Sequence, residues 1–107
     1  MNKEYIICAA IWYRELPTQH FLPVNITEGI VICGHRHGHC IDLLKTMCNL
    51  RTTKLGPDSV GTTVQGFLTN TNRFVSRKNA LQIAKDANQL INPSYITGNE
   101  LYSEDIY

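Results

Sequence analysis

The sequence predicts an α+β fold, a small sheet packed with two main helices. Three observations lead there: apolar runs of strand length over residues 5–13 and 28–33, strict alternation over 62–69, and two apolar stripes of helical period, one after Gly38 and one after Ser76. At 107 residues the chain has the length of one domain, residues 1–107, large enough for a core and near the size at which association adds much of the burial.

Residues 5–13 carry Ile6, Ile7, Ile11 and Trp12 in a continuous apolar and aromatic run, which favours a buried strand over a helix. Residues 14–27 hold Pro17 and Pro23 around Gln19-His20-Phe21-Leu22 and read as an irregular connection with room for a short edge pairing. A second strand follows over 28–33. Beyond Gly38 the period changes, and Cys40, Ile41, Leu44, Met47 and Cys48 form one helical stripe. Asp42 near its start and Lys45 and Arg51 near its end suit the helix dipole.

Residues 51–61 contain Gly56-Pro57-Asp58 without an apolar period and read as a surface loop. Over 62–69, Val64, Gly66 and Leu68 share one face, and Thr63, Gln65 and Phe67 share the other. Gly66 in such a strand lets another backbone or a ligand come close. Asn70-Thr71-Asn72 is a turn by composition. Ser76 is an N-cap for a helix from Arg77 to about residue 91, with the stripe Ala80, Ala84, Ala87 and Ile91, and Asn92-Pro93 stops it. The tail keeps Tyr95, Leu101, Tyr102, Ile106 and Tyr107, enough apolar mass to dock.

Lys plus Arg is 10 and Asp plus Glu is 9, a balance that argues against non-specific binding to nucleic acid or an anionic membrane. No run approaches the ~20 apolar residues of a membrane span. Cys8, Cys33, Cys40 and Cys48 follow no secretory signal and read as reduced thiols of a cytoplasmic protein. Nothing in the chain calls for a cofactor.

Chemistry concentrates in Gly34-His35-Arg36-His37-Gly38-His39-Cys40, where imidazoles, an arginine and glycines meet a helix start, a place for an anion or a metal. Cys33, His35, His37 and His39 share one parity, so a continued strand would aim them at one zinc ion, whereas a bend at the glycines would scatter them. A second basic group, Arg73, Arg77 and Lys78, brackets Phe74 at the other helix start. It reads either as an anion site with a stacking ring or as surface ion pairs beside a hydrophobic staple. Cys33 and Cys40 occupy apolar periodic positions, which argues against covalent catalysis.

The order of short motifs, Cys8-Ala9-Ala10-Ile11, Gly34-His35-Arg36-His37, Gln65-Gly66-Phe67-Leu68-Thr69, Arg73-Phe74-Val75-Ser76-Arg77 and Leu101-Tyr102-Ser103-Glu104-Asp105, resembles the Thoeris anti-defense 1 family of phage proteins. That resemblance implies an antiparallel sheet, a homo-oligomer built as a dimer or a ring of dimers, and a sponge rather than an enzyme. Such a sponge sequesters the cyclic ADP-ribose isomers made by TIR-domain proteins in the infected host cytoplasm, and some members also hold a cyclic oligonucleotide. Carried over residue by residue, Arg36, Arg73 and Arg77 would clamp pyrophosphate with His37 beside them, Phe67 or Phe74 would stack on the base, and Thr69 or Asn72 would bond the sugar. Two other classes compete with it. One is a small metal-dependent hydrolase acting on a cyclic nucleotide through His35, His37 and His39. The other is a protein-interaction module that uses an apolar patch including the Tyr-rich tail.

Overall fold

A computed structural model of the chain describes residues 3–14, 17–50, 63–96 and 98–106. The loop expected over 51–61 lies outside the described residues, as do Tyr107 and the side chains of Met47 and Cys48. The strands β1 (Ile6–Tyr13), β2 (Ile30–Gly34), β3 (Thr63–Thr69) and β4 (Phe74–Ser76) form one antiparallel sheet in the order β2-β1-β3-β4. Helices α1 (His37–Leu50) and α2 (Arg77–Asp86) accompany it, with 3-10 turns at Pro93–Tyr95 and Ser103–Asp105. This is the α+β fold expected, with the sheet antiparallel.

Alternation along the strands sorts the side chains. Ala9, Ile11 and Tyr13 of β1, with Ile32, Phe67 and Val75 from its neighbours, pack with Cys40 and Leu44 of α1, Ala80, Leu81 and Ala84 of α2, and Leu101 of the tail. The opposite face carries Ala10, Val31 and Phe74 with Trp12, Val64 and Leu68, covered by Leu22 and Ile26 from the connection between β1 and β2. Phe67 and Leu68 therefore divide between the faces as the alternation predicts.

Side-chain amides finish the strands where no further strand does. The Gln19 side chain accepts from Val31 N–H at 2.8 Å and its backbone N–H donates to Gly29 O at 2.9 Å, but residues 17–27 form no strand beside β2. At β4, Asn25 bonds both polar groups of the Phe74 backbone, donating at 2.6 Å and accepting at 2.8 Å. Gln89 does the same to Ile6, with both bonds at 2.8 Å. Exposed strand groups would otherwise template pairing with another chain.

Helix α2 starts where expected, with the Ser76 hydroxyl accepting from Asn79 N–H at 3.3 Å. It ends at Asp86 rather than near residue 91. Asn88 adopts φ 59° and the N–H groups of Ala87, Asn88 and Gln89 turn back onto Ile83, Lys85 and Ala84 carbonyls, a left-handed C-terminal cap. Leu90 and Ile91 extend the helical period in sequence but belong to the segment that follows.

At the β3–β4 turn Glu4 gathers four donors. Arg73 reaches it with Nη2 at 2.7 Å and Nε at 3.0 Å, and the hydroxyls of Thr71 and Thr69 donate at 2.7 and 2.8 Å. The Arg73 bonds hold the Glu4 carboxyl down at about 2 against partial burial, with Thr71 and Thr69 adding to them. Because the folded value lies below the unfolded one, this contribution to stability is complete above about pH 4.5 and is lost as pH falls toward 2. Glu4→Gln is expected to cost about 1 kcal/mol at neutral pH, a small figure because the arginine is partly solvated. It should also flatten the stability profile between pH 4.5 and pH 2 in urea titrations. An unchanged acid slope in that variant would show that Glu4 does not carry it.

Candidate functional site

Both helices begin over one corner of the sheet. Gly66 of β3 lies opposite Ser76, the cap of α2, and its carbonyl accepts from the ring of His37, the first residue of α1, at 2.7 Å. Since a carbonyl only accepts, Nε2 carries the proton and Nδ1 is left to accept from the Ser103 hydroxyl at 3.3 Å. The ring stands edge-on to Phe67 at 4.9 Å, and His37 is buried. Burial is the main reason its pKa falls below the ordinary histidine value. The Gly66 bond opposes that shift and nearby Arg77 reinforces it. His37 is thus a neutral brace joining α1, β3 and the tail.

Gly66 lets β4 come close on this strand, because a Cβ there would run into Val75 O and the Phe74 ring. The tail enters through Leu101, fully buried, whose N–H donates to Arg77 O at 2.9 Å. Asp105 then accepts from Tyr102 N–H at 2.8 Å and fixes the 3-10 turn. The result sets the Tyr102 ring under the Arg77 guanidinium, 4.7 Å from Cζ to the ring centre. Arg77 Nε is buried and has no hydrogen-bond partner among the described residues. Across the corner Arg36 reaches Glu104 at 4.0 Å, with both side chains well exposed. Neither helix has an acidic residue in its first turn, so both helix starts and two guanidiniums contribute positive potential here.

Of the residues expected to bind a ligand, Arg36, His37 and Arg77 meet in this corner. Phe67 lies beneath His37 in the core with no exposed surface. Thr69 and Arg73 serve Glu4 at the far end of β3. Asn72, at φ 60° in the turn, accepts from Val24 N–H through its carbonyl. Phe74 is buried on the opposite face of the sheet, edge-on to Trp12. Tyr102 and Ser103, from the tail expected to dock, complete the corner.

The histidines do not converge. The strand stops at Gly34 and the helix starts at His37, so the shared parity is broken. His37 turns inward, while His39 Nδ1 accepts from Arg36 N–H at 3.1 Å. Among the described residues no three His, Cys, Asp or Glu side chains are grouped to hold a metal. No helix among the described residues is long and apolar enough to cross a membrane.

A family model described as the phage T4 y16D protein matches residues 5–107. No curated protein and no solved structure matches the chain. The family match overturns the resemblance to Thoeris anti-defense 1, which rested on short motifs, whereas the y16D model covers residues 5–107. With that resemblance fall the anti-defence sponge for cyclic ADP-ribose isomers, the cyclic oligonucleotide site and the homo-oligomeric dimer or ring. The metal-dependent hydrolase built on His35, His37 and His39 falls too: the His35 and His39 rings lie 6.2 Å apart, but His37 turns away to Gly66, and among the described residues no three ligands are grouped. A match running from β1 to the docked tail shows that the chain belongs to the phage T4 y16D protein family.

Proposed function

We propose that the protein is a non-enzymatic recognition module that grips a carboxylate-bearing segment of a partner protein in the corner between the two helix starts. The observation that carries this reading is Arg77, whose guanidinium lies on Tyr102 and whose buried Nε–H bonds nothing among the described residues. A buried donor left unsatisfied is costly, and a carboxylate is the acceptor that suits a guanidinium held by an aromatic face. Arg36 supplies the second cation, and its long, exposed pair with Glu104 is weak enough to be exchanged for an incoming acid. His37 takes no part in binding. It holds the tail so that Tyr102 stays under Arg77.

A protein partner is favoured because the corner continues into exposed apolar surface. Tyr102 is 43% exposed, and Ile91, tied to the same turn through its N–H to Asp105 O, is 61% exposed. Arginine and tyrosine are the side chains that dominate protein interfaces. Calorimetric titration with a glutamate-rich peptide containing leucine should show saturable binding that Arg77→Ala weakens ~10- to 100-fold, as expected for one charge-assisted contact. Peptide binding unaffected by Arg77→Ala would contradict the reading. So would inorganic phosphate that binds as tightly as the peptide, because the site would then be a simple anion pocket.

A further inference from the structure

The sheet face away from the helices carries two thiols. Ala10 lies opposite Cys33, and Cys8, two residues back along β1, shares the face of Ala10 and is the diagonal neighbour of Cys33. The strand register thus sets the Cys8 and Cys33 thiols beside each other on this face. Cys33 is exposed and Cys8 half-buried. Cys33 also lines an open cavity of about 180 Å³ with Phe21, Leu22 and Leu68.

We propose that Cys33 and Cys8 form a thiol-modification site for low-molecular-weight disulfides, with Cys33 the attacking sulfur and Cys8 the resolving one. The exposed Cys33 thiolate attacks one sulfur of the disulfide RSSR, forming Cys33–S–SR and expelling RS⁻, which takes up the proton Cys33 released. Cys8 then attacks the Cys33 sulfur, forming the Cys8–Cys33 bond and expelling the second RS⁻, which takes up the Cys8 proton. One disulfide is reduced to two thiols and two thiols are oxidised to one disulfide.

The roles follow from the surroundings. The S–H of Cys8 stabilises a thiolate at Cys33 and lowers its pKa. The same bond and burial raise that of Cys8, which keeps its proton until the first step is over. Cys40 offers the internal contrast. It is fully buried against the Ala9 and Arg36 carbonyls, and burial pushes its thiol up to about 11. Oxidation would staple β1 to β2 beside the cavity.

The test is to incubate the folded protein with oxidised glutathione, quench with acid and map the peptides by mass spectrometry. The wild-type protein should give a Cys8–Cys33 disulfide while Cys40 stays reduced. Cys8→Ser should stop at a glutathione adduct on Cys33, and Cys33→Ser should react at Cys8 at least ~10-fold more slowly. Cys33 remaining reduced, a wild-type product that stops at the Cys33 adduct, or Cys40 reacting as fast as Cys33 would each overturn the proposal. The wild-type map decides the matter even if a serine variant fails to fold.

Discussion

Gly66→Ala is expected to lower stability by about 3 kcal/mol. The new Cβ would sit 2.1 Å from Val75 O, a backbone atom of the paired strand that yields only if β4 moves. Moving β4 disturbs Phe74 below the sheet and the Ser76 cap above it. If β3 yields instead, the Gly66 carbonyl moves away from His37, which then loses the acceptor that fixes its ring. Urea unfolding compared with Thr63→Ala, an exposed position on the same strand, gives the measurement. A Gly66→Ala protein within about 0.5 kcal/mol of wild type, the range of an ordinary surface change, would mean that the strands do not approach as described.

Leu101→Ala should cost a similar amount, about 2–5 kcal/mol, by leaving a cavity in the main core. Its second effect distinguishes it from other core truncations. Leu101 is the anchor that brings Tyr102 and Ser103 to the corner, and its N–H bond to Arg77 O is the backbone tie between the tail and α2. Hydrogen exchange should therefore quicken over residues 98–106 before it does in β1, and affinity for the acidic peptide should fall with it. A variant equally destabilised throughout, with tail protection unchanged relative to the core, would show that Leu101 fills space without organising the corner.

Three of the strands, β1, β2 and β3, and the helix starts are legible because each rests on local signals: the alternation over β3, the Ser76 cap, and the stripe of Cys40 and Leu44. The end of α2 was misread because Leu90 and Ile91 continue its period by coincidence, while the real signal, an asparagine able to adopt a left-handed cap at position 88, is a single residue. β4 is three residues long, too short to show a period, so which face Phe74 would take was not readable. Arg73 looked like half of an anion site because its partner, Glu4, lies 69 residues away in sequence. Arg36 and His37 were legible from their position at a helix start. Their meeting with Arg77 and Tyr102 depends on the tail folding back, a long-range event that no local pattern encodes. Short shared motifs suggested a family that the full-length comparison replaced.

The central claim is that the Arg77 guanidinium, held on Tyr102, receives an acidic side chain. Nitrogen-15 NMR of the arginine Nε–H groups during titration with the glutamate-rich peptide tests it directly. The Arg77 signal should shift downfield and its exchange with water slow as the peptide saturates, while the Arg73 signal, already bonded to Glu4, stays in place. An Arg77 signal that does not move while the peptide binds elsewhere would contradict the account.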